Sequence, residues 1–352
     1  MPILGAEIRS VGGGQAKLDL GLHEAPIKQK VRQLAQSADS DPLIKLLFKQ
    51  TTQNTILGTY ASQYRVGQHS VINEHGADHV VGRKQGFNKN VGLYEFGSKT
   101  PITWKMDRFS QENEGVAAAN DLGGAARDAK LRYAALMIAN AIAGNASFEY
   151  GGENMYTTTS DGVTAFSTAH PYKDAALTGT QSNIFSDTLS VDSLIGIASV
   201  ASKFSDDSGN AIDSRPKAIL IPATAAAEKQ AAVISGSLQL PGTSNNDLNP
   251  LHNTFEYYKS VEFANICKQL GLIASESSAT FPYIVFDPDW ISMYNSSIYA
   301  IADPLNVVTY QTGPSPYSGW TVEAHEMYSF SFVDWRGFTV GGVAAGIPLS
   351  SV

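Results

Sequence analysis

The clearest pattern of apolar and polar positions lies between Ser110 and Asn145. Val116, Ala119, Leu122, Ala126, Ala129, Tyr133, Leu136, Asn140 and Ala143 recur every three or four residues, with alanine at many positions between them. That spacing is the period of a helix, written largely in the best helix former. Ser110 is an acceptable N-cap, Glu112 and Glu114 put negative charge in the first turn, and Gly144 with Asn145 is a stop signal. The pattern therefore predicts one helix over residues 111–143, a spine of roughly 50 Å. Arg127, Asp128, Lys130 and Arg132 exclude a membrane span. Gly115, Gly123 and Gly124 inside it each cost about 1 kcal/mol, which points to bending or close backbone approach. On that reading Gly124→Leu should hinder assembly more than Ala118→Leu.

Shorter patterns flank the spine. Pro26 reads as a helix start with Ile27, Val31 and Leu34 on one face, and Asp41-Pro42 opens a second helix carrying Leu43, Leu46 and Leu47. From Thr51 to Phe109 the helical period disappears. Ile102, Trp104 and Met106 alternate with Thr103, Lys105 and Asp107 as a strand does, preceded by Val91–Phe96, with Thr59–Val71 as the returning partner. These predict a long two-stranded β-arm with its far end at Asn73–Asn90, too thin to carry a core of its own. After the spine, a Thr-rich hairpin over Tyr156–Thr168 turns at Asp161-Gly162. A helix face follows (Val191, Leu194, Ile197, Ala198, Ala201, Phe204), capped by Ser190 and ended by a turn at Asp206–Asn210. Lys217–Ile221 reads as a buried strand, Ala225–Ile234 as a helix capped by Thr224, and Ser235–Asn253 as a long polar loop. Pro282–Phe286, Leu305–Tyr310, Trp320–Phe332 and Phe338–Gly342 are further strands, the last two joined by a turn at Asp334–Gly337.

Composition narrows the partners. Hydrophobic residues make up 43% of the 352, enough for a sizeable core, while charged residues are only 16%. Typical soluble proteins carry about 25% charge, so a surface this uncharged suits one largely covered by other subunits. A net charge of -8 argues against gripping nucleic acid, although not against enclosing it. The single cysteine, Cys267, gives no disulfide framework, and the absence of an apolar leader points to folding in the cytoplasm.

Nothing in the chain demands catalysis. There is no nucleophile elbow, and Gly12–Gly14 lacks the Lys-Ser/Thr of a phosphate-binding loop. His325-Glu326 begins like a zinc-protease motif, but Ser329 stands in place of the second histidine. His69, His75 and His79 lie on a Gly-rich stretch without helical register, so they read as solvated rather than metal-binding. Cys267 lies in an apolar segment as a small buried hydrophobe, and Asp287 and Asp289 around Pro288 are turn formers. The sequons at Asn145 and Asn295 carry no meaning without export. No catalytic residue, metal ligand or cofactor is assigned.

One resemblance organises these elements. Phe166–Pro171 and Gly179–Asn183, placed after a long Ala-rich helix that itself follows a β-arm, resemble the major capsid proteins of tailed bacteriophages, closest to Mu-type major head subunits. That fold is shared with encapsulin shells and the floor domain of herpesvirus capsid proteins. Tyr172 stands where these relatives usually carry asparagine. The order helix, turn, strand, helix over 191–234 and a closing aromatic strand ending in Val340–Gly342 belong to the same likeness. It implies an α+β phage major-capsid fold: an N-terminal arm (1–50), an extended β-arm (51–109), a peripheral domain (110–190) with the spine, an axial domain (191–319) and returning strands of the peripheral domain (320–352). It implies self-assembly rather than catalysis: hexamers and pentamers in an icosahedral head, put together in the host cytoplasm, enclosing double-stranded DNA without sequence-specific binding and without a membrane. Scaffold, portal and decoration proteins would be its partners. Arg83, Lys84, Lys89 and Trp104 are the subunit-contact candidates. An encapsulin-like compartment and an oligomeric enzyme are the alternatives.

Overall fold

The computed structural model describes residues 20–62, 86–109, 114–174, 176–240, 247–313 and 318–349. The first part of the chain holds α1 (Leu20–Gln36), α2 (Pro42–Lys45), β1 (Lys49–Thr52), β2 (Leu57–Ala61), β3 (Asn88–Gly92), β4 (Tyr94–Ile102), α3 (Trp104–Phe109) and the spine α4 (Glu114–Ile142). The middle holds β5 (Ser147–Tyr150), β6 (Glu153–Tyr156), β7 (His170–Pro171), β8 (Thr180–Gln181), α5 (Val191–Ala201), β9 (Ala218–Pro222) and α6 (Ala225–Gly236). The remainder is β10 (Glu256–Ser260), α7 (Val261–Gln269), β11 (Tyr283–Phe286), α8 (Pro288–Tyr294), β12 (Ser297–Gln311), β13 (Trp320–Phe332) and β14 (Phe338–Gly341). The fold is α+β. It divides into two compact units: Met1–Ser37, Phe96–Arg127 and Leu305–Glu326 in the first, and Ala38–Glu95, Asp128–Pro304 and Met327–Val352 in the second.

The spine ends where local chemistry stops it. Gly144 takes φ +77, its N–H bonds the Ala141 carbonyl at 3.2 Å, and the Asn145 N–H reaches the Asn140 carbonyl at 3.0 Å. This is a Schellman cap, which satisfies the last carbonyls and needs a residue without a Cβ at its left-handed position.

In the first unit, α1 and the N-terminal part of α4 cover one sheet face. Ile27 and Val31 pack with Ala118, Ala119 and Leu122 over Ile102, Val307, Val322 and Ala324. The close approach falls on Gly123, not Gly124. A Cβ at Gly123 would lie 2.7 Å from Leu34 Cβ and 3.2 Å from the Val31 carbonyl, whereas one at Gly124 would meet nothing within 4 Å. Ala118, the position chosen as permissive from the sequence, is itself in this core. Two boundaries also move. Pro26 lies inside α1, which begins at Leu20, because a missing N–H removes one intrahelical bond without fixing where the helix starts. The alternation through Met106 is not a strand beyond Ile102: the Thr103 hydroxyl accepts the Met106 N–H at 3.3 Å, and α3 begins at Trp104.

The second unit is built on the sheet β10-β9-β11-β14, parallel between β10 and β9 and antiparallel elsewhere. All residues of β9 and β11 are buried, which is why both read as unbroken apolar runs. Helix α5 carries a full capping box: Ser190 Oγ accepts the Ser193 N–H at 3.1 Å and the Ser190 N–H reaches Ser193 Oγ at 2.8 Å. Ser190→Ala should cost about 1 kcal/mol in chemical denaturation. A second core gathers aromatic rings around Tyr133 of the spine, with Phe330 edge-on at 5.3 Å, Tyr150 stacked at 5.6 Å and Tyr299 stacked on Phe330 at 4.6 Å. Strand β12 begins well before the predicted Leu305. It runs from Ser297 through Pro304, which lies past the last residue paired with β1, where a missing N–H removes no bond to that strand. Helix α7, with Phe263, Ile266 and Cys267 buried, was not resolved from its short apolar run in the sequence.

The β-arm is present at its root: β2 pairs antiparallel with β3 from Leu57 opposite Gly92 to Ala61 opposite Asn88. Of the predicted far end Asn73–Asn90, residues 86–90 belong instead to the arm's root, where Asn88 opens β3, and residues 63–85, with Arg83, Lys84 and the three histidines, lie outside the described residues.

Candidate functional site

Within the second unit, the root of the arm is fastened to later parts of the chain by a buried ionic cluster. After α5 the chain turns sharply: Asp206 Oδ1 accepts the N–H groups of Ser208 and Asn210, each at 2.9 Å, and closes the loop. The neighbouring Asp207 is thereby turned inward. Its Oδ1 accepts Arg336 Nη2 at 2.8 Å, while its Oδ2 accepts Ser62 Oγ at 2.5 Å and the Phe87 N–H at 3.4 Å. Ser62 and Phe87 flank the β2–β3 pair. One carboxylate thus joins both sides of the arm's root to the turn before β14.

Arg336 saturates the other side. Its Nη1 reaches both oxygens of Asp334 at 3.2 Å, and its Nε donates to the Ser205 carbonyl at 2.8 Å. Arg336, Asp334 and Asp207 are each about 1% exposed, so this is a triad of charges removed from water. Burial opposes the charge on Arg336, but Asp334 and Asp207 outweigh it and hold the guanidinium's pKa above its ordinary value. Such a group persists only when its lone pairs and protons are matched, which the Ser62 hydroxyl, the Phe87 N–H and the Ser205 carbonyl accomplish.

Trp335 extends the cluster sideways. The guanidinium carbon of Arg336 lies 4.8 Å from the Trp335 ring centre, and the His170 ring stacks on the same indole at 4.4 Å and 12° from parallel. His170 is fixed at both nitrogens, Nδ1 to Asp161 Oδ2 at 2.8 Å and Nε2 to Asn183 Oδ1 at 3.2 Å. Burial acts to raise the pKa of Asp161, yet the hydrogen bond and charge of His170, with Thr159 and the Val163 N–H, bring it below the usual carboxylate range. Asn183 in turn donates to the Ala165 and Phe338 carbonyls. The two segments that carried the family likeness therefore meet: β7 pairs with β8, and His170 and Asn183 are in direct contact.

This arrangement holds positions rather than transferring protons. His170 is fully buried, with one ring nitrogen held by Asp161 and the other by Asn183, and Asp161 is itself engaged by Thr159 and the Val163 N–H. No group of three or more His, Cys, Asp or Glu side chains suited to a metal ion occurs among the described residues, and no helix among them is long and apolar enough to cross a membrane. Cys267 is buried, and burial pushes its thiol far up.

The contact candidates from the sequence divide. Arg83 and Lys84 lie outside the described residues. Trp104 sits half-buried at the start of α3. Lys89 is directed into its own chain rather than outward: its amine donates to the carbonyls of Thr158 and, at 2.9 Å, Phe332. The aspartate–arginine triad was missed, because Asp207 and Asp334–Arg336 sit in segments that read as ordinary polar turns. A tryptophan and an arginine side by side in a tight turn between two apolar strands were the available signal.

No family model matches the chain, and no curated protein matches it in sequence. Solved structures do. The capsid asymmetric unit of cyanophage Pam1 aligns over 85% of this chain and 89% of its own, with 12% identity and a TM-score of 0.50. The capsid of cyanophage P-SCSP1u covers 85% of this chain and 87% of its own at 12% identity and a TM-score of 0.48. A virus-like particle from Pyrococcus furiosus covers 89% and 98% at 12% identity and a TM-score of 0.44. The chain has the phage major-capsid fold, and the match extends over most of its length.

Proposed function

We propose that the chain is the structural subunit of an icosahedral tailed-phage head, assembling as hexamers and pentamers into a shell that encloses double-stranded DNA, and that it is not an enzyme. The observation that carries this reading is the capsid fold, matched over 85% of the chain. The surface supports it. Leu248 is 82% exposed, Ile56 76%, Met293 69% and Leu238 67%, apolar side chains that an assembled shell would cover. On this reading residues 191–319 supply the axial domain, and the β-arm and N-terminal arm lie across neighbouring subunits. Many symmetric contacts of this kind close a shell without catalysis. Scaffold, portal and decoration proteins are the partners such a shell would engage, and assembly in the host cytoplasm would leave the chain in the virion capsid.

Electron microscopy of the purified chain tests the proposal. Closed icosahedral particles of head size are expected; small cargo-filled shells would favour a compartment, and discrete oligomers would favour an enzyme. The same particles should survive dithiothreitol, because a single buried cysteine per chain leaves no disulfide network to reduce. Particles that disassemble on reduction would show that Cys267 is bridged between subunits.

A further inference from the structure

Strand β3 sends one basic side chain inward. Lys89 lies opposite Tyr60 of β2, between the exposed Asn88 and Asn90. Its amine donates to the carbonyls of Thr158, in the hairpin after β6, and Phe332, at the end of β13. One side chain thus ties the arm's root to two parts of the second unit that are far apart in sequence. Two carbonyl acceptors match the two N–H bonds of a neutral amine, whereas an ammonium brings a third donor and a full charge.

Each element packed around Lys89 contributes identifiable groups. In the hairpin, Asp161 is the charge that acts on the amine, but its carboxylate is already held by His170 and Thr159. On β2, the Tyr60 hydroxyl donates to Gln53 Oε1 at 3.1 Å. Beyond Phe332, Asp334 is paired with Arg336. No unshared carboxylate is among these groups. Burial lowers the pKa of Lys89 from 10.5 to about 7, with Asp161 opposing the shift.

We propose that Lys89 is a proton-controlled latch at the root of the β-arm: the neutral amine holds β3 to the Thr158 and Phe332 carbonyls, and gaining a proton favours release. A docked amine titrating near 7 and a released one at its ordinary 10.5 bind protons unequally between those values. The released state binds more, so docking strengthens as pH rises through this window and levels off below it. Within the window each pH unit changes the docking equilibrium up to about tenfold. The latch acts within one subunit, so its failure would leave the shell proposal standing.

Hydrogen exchange on the full, unassembled chain between about pH 7 and pH 9, corrected for intrinsic exchange, tests this. Protection of the β3 amides is expected to rise by up to about tenfold per pH unit in the wild type. Lys89→Met, which cannot donate to either carbonyl, and Lys89→Arg, which stays charged, should both be pH-independent and less protected than the wild type at about pH 9. The β5–β6 hairpin should show no matching slope. A flat wild-type profile, a slope retained in Lys89→Met, or a parallel rise in β5–β6 would overturn the proposal. Should Lys89→Met fail to fold, the wild type and Lys89→Arg decide by the same criteria.

Discussion

Arg336→Met is expected to lower the unfolding free energy of the unassembled subunit by about 3–5 kcal/mol, the cost of removing one partner from a buried ionic group. Methionine replaces much of the arginine stem, so packing is largely kept and the charge is what is lost. Asp334 and Asp207 then remain about 1% exposed without their counter-ion, and the Ser205 carbonyl loses the shorter of its two donors, keeping the Gln181 amide at 3.2 Å. Arg215→Met is the internal control. Arg215 pairs with Asp213 at 2.8 Å with both side chains largely in water, and such a pair is worth at most about 1 kcal/mol. Urea denaturation of the two variants should separate them by several-fold in free energy. Adding Asp207→Asn to Arg336→Met should restore part of the loss, since the amide needs no counter-charge. A loss below about 1 kcal/mol in Arg336→Met would mean that water reaches the cluster and that it does not fasten the arm's root.

What could be read from the sequence follows how local each determinant is. The stop of the spine was legible because Gly144 and Asn145 cap the helix through bonds to carbonyls three and five residues back. Strand β13 was legible from alternation alone, over the same residues Trp320–Phe332. Thr103 shows the opposite case, where one hydroxyl capping Met106 overrides an alternation that continues past Ile102. The ionic cluster was not legible, because its members are brought together across the fold: Ser62 and Asp207 are separated by 145 positions, and Asp207 and Arg336 by 129. Neither local period nor turn chemistry distinguishes Asp207, which joins the ionic cluster, from the equally buried Asp206, which closes the turn. His170 and Asn183 were picked out only through the family likeness, and the physical reason for them is their contact beneath Trp335.

Gly123→Leu is expected to destabilise the first unit by about 3 kcal/mol, at the upper end of overpacking penalties, while Gly124→Leu should be neutral or stabilising. Both replace a glycine in the same helix, and on propensity alone each would gain up to about 1 kcal/mol. What separates them is the neighbour. At Gly123 even a methyl group would stand 2.7 Å from Leu34 Cβ and 3.2 Å from the Val31 carbonyl, and neither is the free end of a flexible side chain. Helix α1 would have to move away as a body, drawing Val31 and Ile27 off Ala118, Ala119 and Leu122 and opening the core they share. At Gly124 nothing lies within 4 Å, so the propensity gain is left unopposed. Gly123→Ala sharpens the comparison, because its Cβ alone meets the clash while its propensity gain is the largest available. Denaturation should therefore show Gly123→Ala below the wild type and Gly124→Ala above it. If the two alanine variants shifted in the same direction, α1 could yield at no cost, and the contact of Leu34 with the spine would not be what holds the first unit closed.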